Sequence, residues 1–83
     1  MDNDDKLKAV FVEVLAIDPR DFADNLRQDN VGSWDSMAMV SLITEIEAAF
    51  DLELDLLEFS RFVSVASIKA VLSEHGVAFD AVV

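Results

Sequence analysis

The feature that most constrains this chain is an apolar stripe at helical spacing. Within residues 36–50, Met39, Leu42, Ile43, Ile46 and Phe50 fall on one face. A helix patterned in this way must bury that face against other elements. Two flanking segments carry the same period. Leu7, Val10, Phe11, Val14 and Leu15 predict a helix over about 4–16, and Val65, Ile68, Val71 and Leu72 predict another over 64–75. With 83 residues there is room for one small domain, expected to span 1–83. The expected class is therefore all-α.

The punctuation supports this reading. Asp4 and Asp5 fall in the first turn of the first helix, where the dipole favours acids. Asp18-Pro19 is expected to end that helix and to open a short turn of its own, with Asp18 as cap and Pro19 in the first helical position. Residues 17–35 form a long connection, expected to be pinned by Ile17, Phe22, Leu26 and Val31. Asp55-Leu-Leu-Glu58 reads as a capping box that opens a short third helix, 56–61. Ser64 is placed to cap the last helix, with His75 in its final turn as a dipole partner and Gly76 as its stop. Residues 50–56 alternate with period two, and the tail 77–83 alternates weakly. An isolated strand pair is marginal, so an extended linker with buried leucines is preferred to a two-stranded sheet.

Charge narrows the functional classes. Seventeen acids face six bases, a formal net of −11. From Gln28 to Ser60 there is no Lys or Arg but eight acids: Asp29, Asp35, Glu45, Glu47, Asp51, Glu53, Asp55 and Glu58. Such a field repels nucleic acid and anionic membrane and steers a basic protein surface inward. No run approaches the roughly 18 apolar residues of a membrane span. The absence of cysteine excludes disulfides and thiolate metal sites. The stretch MDNDDKLK is the opposite of a signal peptide or organelle presequence. A cytoplasmic monomer is expected.

Chemistry of the chain's own has little to work with. A nucleophilic serine needs a base and an orienting group within reach, and the one histidine, His75, lies far from Ser36 in sequence. Asp35 adjoins Ser36 but is too weak a base near neutral pH. The acidic start resembles a calcium loop only loosely, with Leu7 where the turn requires Gly and Lys6 at a ligand position. No catalytic residue and no metal ligand is assigned. Ser36 remains, at a predicted helix mouth. Taken alone it reads as an N-cap. It also has the setting of a serine modified by another enzyme, because free backbone N–H groups and the dipole there favour an added phosphodiester. Gly32-Ser33 would make the approach loop adaptable.

Asp35-Ser36-Met37, followed by Val40, Leu42, Ile43, Glu45, Ile46, Glu47 and Phe50, resembles the signature of the acyl carrier proteins. The likeness extends over nearly the whole chain. It implies an acyl-carrier-like four-helix bundle with a long first loop and a short third helix. It also implies 4′-phosphopantetheine on Ser36, flanked by Asp35 and Met37, with acyl groups held as thioesters. The implied partners are a phosphopantetheinyl transferase, an acyl-loading ligase or synthase, and acyltransferases. They would dock on Met37, Val40, Ser41, Thr44, Glu45 and Glu47. A cargo wall between the second and third helices would comprise Met39, Ile43, Ile46, Phe59 and Phe62, with the two phenylalanines leaving little room for a long chain.

Two departures from the family pattern stand out. Ser33 and Trp34 both lie between Gly32 and Asp35, where one residue is common. The outer face of the second helix carries Ala38, Ser41, Thr44 and Ala48 in place of several acids. A dedicated carrier for a specialised pathway is therefore expected, rather than one for housekeeping fatty-acid synthesis. A stand-alone aminoacyl or peptidyl carrier, and a carrier-like adaptor without a prosthetic group, remain open.

Overall fold

The computed structural model describes residues 2–79. Four α-helices follow one another: α1 (Asn3–Leu15), α2 (Ser36–Phe50), α3 (Leu56–Phe59) and α4 (Val65–Glu74). Among the described residues no strand forms, and the alternation of 50–56 is that of an extended linker. The rest of the weakly alternating tail, 80–83, lies outside the described residues.

Each helix starts where an oxygen-bearing side chain can satisfy a free N–H. Asp2 accepts from the Asp5 N–H in α1, and Asp55 and Ser64 form capping boxes with Glu58 and Ser67 in α3 and α4. The ends of α1 and α3 differ from the expected stops, while those of α2 and α4 fall where expected. α1 ends two residues before Asp18, at Ala16, whose φ of 56° is left-handed. Asp51 ends α2 in the same way at φ 54°. Gly76 follows α4 at φ 92°, a conformation glycine adopts without steric cost. α3 is a single turn closing at Phe59 rather than Arg61, with residues 60–63 in turns.

α1 packs against α2, and the core closes around Leu7, Phe11, Leu42, Ile46, Phe62 and Ile68, all fully buried. Of the predicted α2 stripe, Leu42, Ile43 and Ile46 are buried, while Met39 and Phe50 sit half-buried at its margins.

The long connection is tied down. Pro19–Asp21 and Gln28–Asn30 form single 3-10 turns, the first capped by Asp18. Ile17, Phe22, Leu26 and Val31 pack onto the core as expected. The loop also bonds to the start of α4 through its backbone. The Gln28 N–H donates to the Val63 carbonyl at 2.9 Å, and the Val65 N–H donates to the Leu26 carbonyl at 2.9 Å. Lys69 completes the tie, reaching Asp4 of α1 and Asp24 of the loop at 2.7 Å each. Its ammonium also lies 5.9 Å from the Phe22 ring centre and 5.5 Å from that of Phe79, within cation–π range.

Candidate functional site

The mouth of α2 is set by Asp35 and not by the serine. Asp35 has extended backbone, and its Oδ1 accepts the Ala38 N–H at 2.9 Å, while its carbonyl accepts the Met39 N–H. Ser36 is the first helical residue. Reading Ser36 as an N-cap is therefore corrected. An Asp immediately upstream competes for the same position, and carboxylate caps rank with the best. Ser36 is left exposed, and its hydroxyl makes no hydrogen bond among the described residues. The N–H groups of Ser36 and Met37 likewise have no partner among those residues. An exposed hydroxyl beside free N–H donors at the positive end of a fifteen-residue helix suits a covalently linked phosphodiester.

The approach loop is held more firmly than its Gly-Ser composition implies. The Ser33 hydroxyl donates to the Leu15 carbonyl at 2.8 Å, and the Trp34 carbonyl accepts from the Gln28 side-chain amide at 3.2 Å. Trp34 is buried, its ring edge-on to Phe11 at 5.2 Å between centres. Its indole N–H has no acceptor among the described residues. The cost of that buried donor, about 1–3 kcal/mol, is set against the roughly 150–250 Å² an aromatic residue buries. The extra residue before Asp35 is thus a core anchor. The sequence marked Trp34 only as a departure from the family spacing and not as a core residue, because an aromatic among polar turn residues shows no period.

The docking residues inferred from the sequence separate into two groups. Met37 and Val40 are 81% and 65% exposed, and Ser41, Thr44 and Glu45 are exposed as well. The Thr44 hydroxyl bonds back to the Val40 carbonyl. Ala48 lies on the same outer side, giving a face with little charge. Glu47 does not belong to that free surface. It is half-buried, and its Oε2 accepts the Leu54 N–H at 2.8 Å, fastening the linker after α2.

The residues expected to form a cargo wall are packed into the core or against it. Ile43, Ile46 and Phe62 are buried in the core, and Met39 and Phe59 are half-buried against it. An open groove of about 320 Å³ lies elsewhere, on the outer side of α1, lined by Asp5, Lys8, Ala9, Val12 and Pro19. It shares no residue with the wall.

His75, expected in the last turn as a dipole partner, lies one residue beyond it as the cap of α4 and is paired with a carboxylate. Its Nε2 stands 2.5 Å from Glu58 Oε2, while Glu58 Oε1 accepts the Asp55 N–H. Beside it, Arg61 makes a two-pronged pair with Glu74 at 2.9 and 2.8 Å. The Arg61 guanidinium, donating to Glu74, holds that carboxyl below the usual range. Both pairs fasten the α3 region to the end of α4. Among the described residues no group of His, Asp and Glu side chains is arranged to hold a metal ion, and no helix is long and apolar enough to cross a membrane.

Residues 5–72 match the family model described as the phosphopantetheine attachment site. The chain belongs to this family, whose members carry a covalently attached 4′-phosphopantetheine and are generally non-catalytic carriers. Among curated proteins none matches the chain.

Proposed function

We propose that this protein is an acyl carrier whose 4′-phosphopantetheine is attached to Ser36, serving a specialised pathway. The observation that carries the reading is the division of labour at the α2 mouth. Asp35 satisfies the cap, so the Ser36 hydroxyl is exposed and unengaged where an added anion is favoured. The bound group supplies a thiol, which this cysteine-free chain lacks, for holding acyl groups as thioesters.

The chain's own residues orient and present. Asp35 fixes the first turn of α2, Trp34 and Ser33 anchor the loop before it, and Met37 and Val40 offer apolar contact to the transferase, loading ligase or synthase, and acyltransferase. The low charge of Ser41, Thr44 and Ala48 favours a dedicated partner set over the housekeeping one. The burial of Ile43, Ile46 and Phe62 favours short or polar cargo, which keeps a stand-alone aminoacyl carrier as the second reading.

Incubation with coenzyme A and a broad-specificity phosphopantetheinyl transferase tests the assignment. The intact mass should rise by one phosphopantetheine, and Ser36→Ala should abolish the gain while the helical circular dichroism persists. Modification that survives Ser36→Ala, or maps to Ser33, refutes the site. No gain at all favours the adaptor.

A further inference from the structure

The peptide that joins Trp34 to Asp35 decides how α2 begins. It is planar, so whatever fixes its oxygen also fixes the Asp35 N–H and the direction in which the Asp35 side chain leaves. Asp35 meets the Ala38 N–H from extended backbone, φ −104° and ψ −170°. Trp34 is held at its ring by Phe11 and at its N–H by the Val31 carbonyl, 3.0 Å away. Its carbonyl is held by a side chain: Gln28 Nε2 donates to it at 3.2 Å. Gln28 is itself fixed. It is half-buried and opens the Gln28–Asn30 turn. Its N–H donates to the Val63 carbonyl at 2.9 Å, and its carbonyl accepts the Val31 N–H at 3.2 Å. A side chain rooted in this way loses little freedom when its amide closes the contact. The contact falls where the chain departs from the family spacing. Ser33 and Trp34 fill the approach between Gly32 and Asp35, and each is tied, Ser33 to the Leu15 carbonyl and Trp34 to the Gln28 amide.

We propose that Gln28 is a positioning residue for the modification of Ser36. By holding the Trp34 carbonyl it fixes the entry into α2, and with it the direction in which the Ser36 hydroxyl meets the modifying enzyme. This rests on Ser36 being the attachment site. In that transfer the Ser36 oxygen bonds to the pantetheine-side phosphorus of coenzyme A. The pyrophosphate P–O bond breaks, adenosine 3′,5′-bisphosphate leaves, and the serine proton passes to a base of the transferase. Gln28 touches none of the reacting atoms. It acts through the Trp34–Asp35 peptide and the Asp35 cap. A misplacement of about 1 Å can cost about a hundredfold in rate, and an added residue in the approach brings two more soft dihedrals to control. Without the amide donor the carbonyl turns toward water, and the peptide plane turns with it. The effect falls on rate and not on docking, because Met37 and Val40 are carried by the helix itself.

The test uses the full chain, coenzyme A and a broad-specificity phosphopantetheinyl transferase. Gln28→Met keeps the side-chain length and removes the donor, and Gln28→Glu turns an acceptor toward the carbonyl. With Gln28→Met, kcat for modification should fall about tenfold while KM for the carrier stays within about twofold. Gln28→Glu should be slower still. In ¹⁵N spectra of the unmodified variants the Asp35, Ser36 and Ala38 amides should move, and those of Ile68–Glu74 should not. Val71→Ala, which loosens the core by packing alone, should lower the melting temperature yet leave kcat parental. The proposal is overturned if Gln28→Met is modified at the parental kcat, if the loss appears in KM alone, or if Val71→Ala slows the transfer as much. In the labelled parent the Gln28 side-chain amide protons should show nuclear Overhauser contacts to Asp35. Their absence overturns the proposal even where a variant fails to fold. A parent that takes up no phosphopantetheine, or takes it on Ser33, refutes the Ser36 assignment instead. Gln28 is then judged by the spectra alone: displaced Asp35 and Ser36 amides uphold its hold on the helix entry, and unmoved ones overturn it.

Discussion

Asp35 accepts the Ala38 N–H at 2.9 Å, and in doing so takes from Ser36 the capping role its residue type would otherwise fill. The two side chains should therefore separate cleanly in a stability measurement. Asp35→Ala should cost about 1 kcal/mol through loss of the cap, whereas Ser36→Ala should stay within about 0.5 kcal/mol. Urea melts followed by circular dichroism will show the difference. Equal losses would mean that Ser36 is part of the helix start after all.

The outer face of α2 predicts an unusual response to charge. Exposed ion pairs contribute only about 0–1 kcal/mol and are screened by salt, so apolar contact from Met37 should dominate docking. In transfer assays with the true partner, Met37→Ala should slow the reaction more than Glu45→Gln. Glu47→Ala should act differently again. It frees the Leu54 N–H from its acceptor, so it should lower stability by about 1–2 kcal/mol, and its effect on transfer should follow the melt rather than salt.

Cargo length is predicted by the packing around Phe62. Protein cores hold few voids larger than a water molecule, and Ile43, Ile46 and Phe62 are already buried in the core. Acyl chains of increasing length on the prosthetic group should leave the amide shifts of Met39, Ile46, Phe59 and Phe62 nearly unchanged, with no gain in melting temperature. Strong shifts there with a long chain would reveal a pocket that opens on loading.

Lys69 predicts the alkaline limb of the stability curve. Burial acts to lower its pKa, but hydrogen bonds to Asp24 and Asp4 outweigh this and hold the ammonium above its usual value. The folded state thus keeps the proton more tightly than the unfolded chain. The stabilisation is complete below the ordinary lysine value of about 10.4 and disappears as pH rises through the higher folded value. Urea midpoints should fall in that window, and Lys69→Met should remove this part of the fall. At neutral pH the substitution should cost about 1–2 kcal/mol. That is less than the 3–5 for breaking a wholly buried pair, since Asp24 is 54% exposed.

Much of this architecture was legible in the chain because it rests on local rules. The α2 stripe, the capping box of α3, the Ser64 cap of α4, Asp18-Pro19 and Gly76 each write their position within a few residues. Contacts between distant residues left no such mark. Lys69 joins Asp4 and Asp24 across 65 and 45 positions, and the one lysine of α4 gives no hint of it. Glu47 reads as a surface acid until the linker folds back and offers the Leu54 N–H. Leu56 looks like Leu54, yet the capping box turns the chain between them, so the alternation stops and the side chain points outward. At the candidate site, Asp35 and Ser36 were both visible, but which of them caps depends on backbone geometry that the sequence leaves open.

Trp34 also makes the protein self-reporting. It is the one tryptophan in the chain, sealed from water and two positions from Ser36. With no acceptor for the indole N–H among the described residues and the Phe11 ring edge-on beside it, its emission is set by the approach loop and the core directly beneath it. The partner engagement proposed for the α2 mouth should therefore be readable as a change in colour or polarisation of native fluorescence, in stopped flow and without any attached label.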